Sequence, residues 1–218
     1  MSGSAPRVHW CDHGRDEPIP ILQWGEGTGR QLLVLQPLFE EMNRCRALVA
    51  ELCRGLAENG LACWLPDLPG TGESRRAIET VGWDDWRSAV EIAARFSGAT
   101  TSIAIRGGTL LDGGLARRWR FAPATGGSLL NDLRRSALVG GGDPAAFAGY
   151  PLAPAFAARL AEQSPADLPH TRTLRLASDD LPGDRHIDAA PLWRRPEPQS
   201  DPILASLLAA DIREWIAS

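Results

Sequence analysis

Residues 101–111, TSIAIRGGTLL, decide the fold that this sequence predicts. The segment TSIAI is typical of a strand that is buried on both faces of a sheet. Arg106, Gly107 and Gly108 follow it and predict a sharp turn, and residues 109–117 are expected to form a helix that starts at this turn. The stretch therefore predicts a strand, a turn and a helix, with a charged side chain at the turn.

Further strands and helices alternate on both sides of this stretch. Apolar segments predict strands at 31–36, 61–65, 119–122 and 173–177. Apolar residues recur at three- and four-residue steps in the segments that we predict as helices, at 40–59, 83–96, 128–139, 152–163 and 203–216. Such alternation indicates an α/β fold with a mainly parallel sheet and helices on both faces.

The length of the chain, 218 residues, is that of one ordinary domain, and no long linker divides it. We therefore expect a single domain over 1–218, without a large cap domain. Residues 1–30 are polar and turn-rich, with short apolar runs that predict one or two edge strands. The regular pattern covers 31–160, and 161–218 form a more divergent C-terminal part.

The composition is that of a globular protein and excludes some functions. Hydrophobic residues make up 44% and charged residues 23%, which is normal for a soluble domain. The formal net charge of -4 gives no support to nucleic-acid binding, which usually shows a basic surface. The chain contains no lysine, so a mechanism that needs a lysine Schiff base is excluded.

Cysteine usage and the N-terminus indicate the compartment. Cys11, Cys45, Cys53 and Cys63 form no CxxC pair, so we expect buried, reduced thiols, with no metal and no cofactor. The N-terminal residues lack the apolar core of a signal peptide, and no apolar stretch reaches the roughly 20 residues of a membrane helix. The sequence predicts a soluble, cytoplasmic protein without a membrane span.

Two motifs resemble those of α/β hydrolases. PDLPGTGES, at 66–74, is similar to the loop after the fourth strand of those enzymes. SIAIRGGTLL resembles their nucleophile elbow, a strained turn whose flanking residues must be small. Ala104 and Gly108 meet this requirement, and Arg106 stands at the position of the nucleophile.

An ordered set of motifs carries a narrower resemblance. The set consists of PLFEEMNRCR at 37–46, PDLPGTGES, the IRGG elbow, FAPATGGSLLNDLRR at 121–135 and AGYPLAPAFAARL at 148–160. Together they are similar to the second hydrolase-type protein of exosortase A systems, which accompany exopolysaccharide synthesis and PEP-CTERM protein sorting in Gram-negative bacteria. The resemblance covers 32–160 and implies that an arginine at the elbow is usual. The part after residue 160 departs from it.

A serine hydrolase needs a nucleophile, a base and an orienting carboxylate. The guanidinium of Arg106 stays protonated and cannot attack. The loss of a triad nucleophile typically removes about six orders of magnitude in rate. Ser102, inside a predicted buried strand, and Thr109, at the turn, are poorly placed substitutes. The sequence therefore shows no recognisable serine nucleophile.

The other two triad members have only weak candidates. Asp179 and Asp180 follow the strand predicted at 173–177, where the acid would lie, although a polar capping loop explains them equally well. His186 is the histidine that comes after that strand, but no predicted strand precedes it directly. The remaining histidines, His9, His13 and His170, lie before that strand.

Arg106 is expected to have an acidic partner. A cation at a helix N-terminus is unfavourable unless an anion offsets it, and an unpaired buried guanidinium costs several kcal/mol. We predict that Arg106 pairs with Glu40 or Glu41 and fills the former active site. Asp67, Asp179 and Asp180 are the further candidates, in that order.

A second interpretation makes this region an anion-binding site. The guanidinium of Arg106 and the amides of Gly107 and Gly108 would converge with those of Leu38 and Phe39, after the first buried strand. Helix N-termini and arginine forks bind phosphate and carboxylate readily. The ligand would then be an acidic small molecule or a saccharide intermediate.

Three functions stay open from the sequence. The first is a binding or accessory protein of the exosortase or polysaccharide machinery, with a possible partner encoded in the same cluster. The second is a genuine hydrolase, esterase- or thioesterase-like, of unusual mechanism. The third is a scaffold or oligomeric partner, because a fold does not imply a function. Trp193, beside two arginines in the C-terminal part, is a candidate for an exposed tryptophan.

Overall fold

A computed structural model of the chain describes residues 5–12, 14, 17–26, 28–141, 143–195 and 197–218. These residues form one sheet whose eight strands are β1 (Arg7–Cys11), β2 (Ile19–Trp24), β3 (Gln31–Leu35), β4 (Ala62–Pro66), β5 (Thr101–Ile105), β6 (Arg117–Phe121), β7 (Thr171–Leu176) and β8 (Arg185–Ile187). Their spatial order is β1-β2-β4-β3-β5-β6-β7-β8. β2 runs antiparallel to both of its neighbours, and the pairs from β4 to β8 are parallel.

Helices cover the two faces of the sheet. They are α1 (Glu40–Ala57), α2 (Trp83–Ser97), α3 (Gly126–Val139), α4 (Pro154–Ala161) and α5 (Pro202–Ala217). α2, α3 and α4 build the hydrophobic core on one face, and α1 and α5 build the core on the other. The segment between β6 and β7 carries only α3, α4 and a short 3-10 turn, so there is no large cap domain in the described part of the chain. The predicted fold class is confirmed.

α1 shows how the sequence pattern becomes packing. The helical spacing predicts one apolar face, and Cys45, Leu48, Val49, Leu52, Cys53 and Leu56 of this face are buried, while Met42 at its start is half-buried. The helix ends because Gly60 adopts a positive φ of 78°, which costs glycine little. The N–H of Leu61 then donates to the carbonyl of Leu56 at 3.2 Å, the hydrogen bond of a Schellman cap.

The sequence patterns missed or misplaced some features at the edges. β8 has only three residues, RHI, which is too short and too polar for a strand pattern. β2 was expected at an edge but lies between β1 and β4, so β1 alone is the edge on that side. Phe96, near the end of α2, is exposed, although its ring contacts those of His9 and Trp64.

The predicted helix at 109–117 is wrong. Residues 106–116 form two 3-10 turns, Arg106–Leu110 and Asp112–Gly114, and β6 begins at Arg117. Crossovers between parallel strands usually need a dozen or more residues to include a helix, and this connection also contains two pairs of glycines, which disfavour helix. The turn after β5 therefore does not open an α-helix.

Candidate functional site

Three non-glycine residues with positive φ lie just after adjacent strands. They are Phe39 (58°), between β3 and α1, Arg106 (52°), directly after β5, and Ala122 (45°), directly after β6. Such conformations cost about 1–3 kcal/mol each and occur mainly at functional sites. The carboxyl ends of these strands are where ligands bind in open α/β sheets, so the strain marks this edge as the candidate site.

Arg106 and Glu41 form a buried ion pair at this edge. Nε of Arg106 lies 3.2 Å and 3.1 Å from the two carboxylate oxygens of Glu41, and one terminal nitrogen donates to Oε1 at 2.8 Å. The side chains are only 12% and 8% exposed. The prediction that Arg106 pairs with Glu40 or Glu41 is confirmed, with Glu41 as the partner.

Trp193 and Ala122 hold the rest of the guanidinium. The other terminal nitrogen of Arg106 donates to the carbonyl of Ala122 at 3.2 Å. The indole of Trp193 covers the flat face, with its ring centre 4.5 Å from the guanidinium carbon. Trp193 is itself buried against Phe121, and its carbonyl accepts a hydrogen bond from Arg44 at 3.0 Å. The expectation of an exposed Trp193 is therefore wrong.

The electrostatics of the pair differ from those that the sequence predicted. Because no α-helix follows the elbow, Arg106 does not sit at a helix N-terminus. Glu41, by contrast, lies in the first turn of α1, where the helix dipole favours a carboxylate. Burial raises the pKa of Glu41, and the nearby charge of Arg106 opposes this rise. The arginine is thus what allows a carboxylate to be buried here.

The two glycines of the elbow are needed for close packing. A Cβ at Gly107 would lie 2.7 Å from Cδ1 of Leu129 and 2.9 Å from Cγ of Leu38. A Cβ at Gly108 would lie 2.2 Å from the carbonyl oxygen of Leu35. Both glycines are buried, and Leu38 and Leu129 cover the turn. Neighbouring side chains therefore enclose the elbow tightly.

A cleft of about 390 Å³ opens beside the ion pair. Leu38, Phe39, Glu40, Glu41, Arg44, Leu129, Asp132, Leu133, Arg135, Ser136, Trp193 and Arg194 line it. The start of α1, one side of α3 and the turn around Trp193 thus form its walls. Of the expected binding residues, Leu38, Phe39, Glu40 and Glu41 face this cleft.

The candidate acid Asp179 has partners other than Arg106. Asp179 accepts hydrogen bonds from Arg175 at 2.7 Å and from the N–H of Leu181 at 3.0 Å. Burial alone would raise the pKa of Asp179, but these hydrogen bonds lower it below its ordinary value. Asp180 is not buried. Neither residue forms a hydrogen bond or an ion pair with Arg106.

The candidate base is also unsuited to a triad. His186 belongs to β8, is exposed, and has its Nε2 3.1 Å from the carbonyl oxygen of Leu181. His9 pairs with Gln23 at 2.7 Å, and His170 comes directly before β7. His13 lies outside the described residues. In α/β hydrolases the base comes last in chain order, and here the loop between β8 and α5 brings Trp193 to the elbow.

The substitute nucleophiles are enclosed. Ser102 is fully buried within β5, with its hydroxyl 3.5 Å from the carbonyl oxygen of Arg117. Thr109 is buried, and its hydroxyl donates to the carbonyl of Arg106 at 2.7 Å. Neither hydroxyl faces the cleft beside the ion pair.

The other acids expected near Arg106 have different partners. Glu40 accepts a hydrogen bond from the hydroxyl of Tyr150 at 3.3 Å. Asp67 accepts one from the N–H of Glu73 at 2.9 Å within its own loop, and burial raises its pKa. Among the described residues, no group of three or more His, Cys, Asp or Glu side chains is placed to hold a metal ion.

Sequence reasoning missed Trp193, Ala122 and Arg44 as members of the site. Trp193 lies in a proline-rich loop without periodicity, and Ala122 contributes only a carbonyl oxygen. Arg44 lies on the same side of α1 as Glu40 and Glu41, so helical spacing could have indicated it.

Comparisons with known proteins agree on the fold. No family model matches the sequence, and no curated protein matches it. A predicted CIB-like hydrolase from Thermoplasma acidophilum is similar in structure, with a TM-score of 0.53 and 13% identity over 96% of this chain and 99% of its own. The bottromycin epimerase BotH has a TM-score of 0.52 and 14% identity over 97% of this chain and 98% of its own.

A third match is a longer protein. A proline iminopeptidase-related protein from Thermus thermophilus matches with a TM-score of 0.48 and 17% identity over 65% of this chain, which spans about half of that protein (52%). The sheet order and the full-length matches show that the chain has the α/β-hydrolase fold. No helix in the described part of the chain is long and apolar enough to cross a membrane.

Proposed function

We propose that this protein is a binding or accessory protein with an α/β-hydrolase fold, and that it does not perform serine-hydrolase chemistry. The observation that carries the proposal is the cluster of Arg106, Glu41 and Trp193 at the elbow. Arg106 occupies the nucleophile position, Glu41 neutralises it, and Trp193 covers it from the loop in which the base would lie. A buried, charge-neutral cluster of Arg106, Glu41 and Trp193 thus stands where a triad would have its reacting groups.

The fold itself does not require hydrolysis. Function belongs to the site and not to the fold, and the similar structures include a protein described as an epimerase. In this chain the side chain at the elbow is a guanidinium, which does not serve as a nucleophile in acyl transfer. Binding without turnover is therefore the simplest function for this site.

The cleft beside this cluster is the proposed binding site, and its charges outside ion pairs favour an anion, because the two arginines Arg44 and Arg194 outnumber the one carboxylate, Glu40. Glu41 is neutralised by Arg106, and Asp132 pairs with Arg135 at 2.6 Å. Within the described residues, no carboxylate lies at ion-pair distance from Arg44 or Arg194. These two arginines suit an acidic small molecule or a saccharide intermediate that carries a phosphate or carboxylate.

The resemblance to the exosortase-associated group supports a role in that machinery. The motif at 37–46 supplies the cleft residues from Leu38 to Arg44, and the motif at 121–135 supplies Leu129, Asp132, Leu133 and Arg135. The motif at 148–160 supplies Tyr150, which binds Glu40. Two of the five motifs that carry the resemblance thus line the cleft, and a third contacts one of its lining residues.

Calorimetry tests the binding proposal. Phosphorylated and carboxylated sugars should bind the wild type, and the corresponding neutral sugars should not. The double variant Arg44→Gln/Arg194→Gln should lose this binding, because both uncompensated cations are removed. Arg213→Gln, an exposed arginine on α5, is the matched control and should bind like the wild type. Equal binding by all three proteins, or binding by none, would reject the anion site.

The proposed accessory role has its own tests. Activated acyl esters and thioesters should not be turned over above the background rate, and turnover that depends on Arg106 would instead favour an unusual hydrolase. We expect the gene to lie among exosortase genes and an identified protein of that cluster to co-purify with this chain.

We also propose a cytoplasmic location. The four free cysteines, Cys11, Cys45, Cys53 and Cys63, are consistent with it.

A further inference from the structure

Glu40 is the carboxylate of the cleft that no cation neutralises. Of the other two acids that line the cleft, Glu41 pairs with Arg106 and Asp132 pairs with Arg135. Among the described residues, no arginine or histidine lies at ion-pair distance from Glu40, which is half-buried. An ionised carboxylate is a hydrogen-bond acceptor only, so Glu40 offers its oxygens to donors that enter the cleft.

Tyr150 fixes one oxygen of this carboxylate. Its hydroxyl donates to Oε1 of Glu40 at 3.3 Å, and its ring packs edge-on against Phe39, with 5.3 Å between the ring centres. Burial raises the pKa of Tyr150, so the hydroxyl keeps its proton and remains a donor. Within the described part of the chain, no group donates a hydrogen bond to Oε2 of Glu40. One oxygen is therefore held in place, and the other is available to a ligand.

The charges of the cleft favour a ligand with two kinds of group. Arg44, one turn after Glu40 on α1, and Arg194 attract an anion, whereas the carboxylate of Glu40 repels it. A simple anion meets both effects and gains no hydrogen bond from Glu40. An anion that also carries hydroxyl groups can donate to Glu40, and the carboxylate then contributes to binding. Saccharides with a phosphate or carboxylate have both kinds of group, and the cleft, at about 390 Å³, has the size of a small-molecule site.

We propose that Glu40 makes the cleft selective for hydroxylated anions. Its carboxylate accepts hydrogen bonds from the hydroxyl groups of an acidic saccharide, while Arg44 and Arg194 bind the phosphate or carboxylate of the same molecule. Tyr150 is a positioning residue, which fixes the orientation of the Glu40 carboxylate. This selectivity rests on the proposed anion site and narrows its ligand from acidic small molecules in general to acidic saccharides.

Calorimetry with two kinds of matched phosphate tests this selectivity. The first kind is glucose, mannose or galactose phosphorylated on the primary hydroxyl. The second is cyclohexylmethyl phosphate, which has a ring of the same size but no hydroxyl group. At mildly alkaline pH both kinds are dianions. The tightest-binding hexose phosphate should bind the wild type about tenfold more tightly than cyclohexylmethyl phosphate, because a site that hydrogen-bonds hydroxyl groups discriminates against a ligand that lacks them.

Glu40→Ala should weaken the binding of one ligand and not of the other. The hexose phosphate loses its hydrogen-bond acceptor and should bind about tenfold more weakly. Cyclohexylmethyl phosphate no longer meets a like charge and should bind at least as tightly as before. Tyr150→Phe should reduce the preference for hexose phosphate in part, because Glu40 keeps its charge but loses its fixed orientation. Glu58→Ala is the matched control, since it removes an exposed carboxylate at the C-terminal end of α1, and both affinities should match those of the wild type.

The outcomes separate this selectivity from the anion site on which it rests. A wild type that binds both kinds of phosphate equally, or a Glu40→Ala variant that changes both affinities alike, overturns the selectivity and leaves the anion site in place. A wild type that binds neither kind rejects the anion site and the selectivity with it. A Glu58→Ala variant that lowers the preference as much as Glu40→Ala also overturns the selectivity, because the overall charge would then explain the effect. Circular dichroism confirms that each variant is folded.

Discussion

At the scale of single residues, Arg106 defines the site by its charge and by its backbone. Its φ of 52° places the side chain at a tight turn, where Glu41, Ala122 and Trp193 surround it. A buried ion pair contributes little net stability, because desolvation offsets much of the attraction. The pair is costly to break, however, since either partner alone would be a buried, uncompensated charge. Its clear structural effect is to close the elbow.

Glu41→Gln should therefore destabilise the protein strongly. The variant leaves the guanidinium of Arg106 buried without a counter-charge, and the expected loss in the free energy of unfolding is about 3–5 kcal/mol. Denaturant unfolding measures it.

The double variant Glu41→Leu/Arg106→Leu serves as the control for this prediction. It removes both charges and should recover most of the stability, because an apolar replacement of a buried pair is often neutral. If the double variant were as unstable as Glu41→Gln, packing and not charge would dominate at this position.

Arg106→Ser should not create a hydrolase. The new hydroxyl would lack a base, because Trp193 occupies the loop position of the histidine and His186 is bound to the backbone of the loop that precedes β8. The hydrolysis rate of an activated ester should remain at the background level, without a burst of product. Measurable turnover that is blocked by serine-directed inhibitors would show that a base lies within reach after all.

At the scale of elements, the short crossover from β5 to β6 changes the interior of the sheet. Without a helix at 106–116, the side chains of β6 that point to this side are the arginines Arg118 and Arg120. Arg120 forms two hydrogen bonds of 2.7 Å with the carboxylate of Asp112. Arg118 donates to the carbonyls of Leu115 and Pro169. A buried polar layer thus ties the crossover to the sheet.

Asp112→Asn tests this layer. Burial raises the pKa of Asp112 while Arg120 lowers it, so the carboxylate and the arginine depend on each other. The variant should lose about 3–5 kcal/mol of unfolding free energy, because Arg120 stays buried without its counter-ion. Asp132→Asn, in the exposed pair with Arg135, is the matched control and should change stability by about 1 kcal/mol or less. Similar losses in both variants would contradict the buried-layer interpretation.

At the scale of the whole molecule, Asp211 connects the last helix to three strands. This buried residue of α5 accepts hydrogen bonds from Trp119 in β6 at 2.8 Å, from Arg172 in β7 at 2.8 and 2.7 Å, and from Arg185 in β8 at 3.1 Å. One carboxylate thus fixes the C-terminal part of the chain to the sheet.

Asp211 should make the stability of the protein depend on pH. Burial alone would raise the pKa of Asp211, but the hydrogen bonds from Arg172, Trp119 and Arg185 lower it below its ordinary value. Because the pKa of Asp211 is lower in the folded than in the unfolded protein, its ionised form stabilises the fold at pH values above the unfolded pKa of about 3.9. This stabilisation is lost as the pH falls through the folded pKa. The wild type should therefore lose stability on acidification between about pH 5 and its folded pKa.

The comparison with Asp211→Asn isolates this contribution. The variant should be less stable at neutral pH by about 2 kcal/mol, a value reduced because its arginine partners are partly exposed. Its unfolding free energy should also fall less steeply below pH 5 than that of the wild type. Parallel curves for the two proteins would assign the acid sensitivity to other carboxylates.

The sequence by itself determined the parallel core of the fold. The buried strands at 31–35 and 101–105 and the helices α1 and α2 follow from local periodicity, because each buries a face that its own residues define. The ion pair of Arg106 with an acid of the first α1 turn was also predictable, since a buried cation needs a counter-charge and adjacent strand ends supply few.

Only the tertiary structure decided the content of the site and the edges of the sheet. The covering of Arg106 by Trp193 joins residues far apart in sequence, and no local pattern encodes such a contact. The glycine pairs after the elbow disfavour a helix locally, but the pairing of β6 with β5 from Arg117 onward is what makes the connection too short to hold one. β8 is fixed by pairing with β7 and by Asp211 and not by its own propensity. At Arg106 and at β8, contacts with residues distant in sequence supply the stabilising free energy. Local sequence patterns therefore do not predict these features.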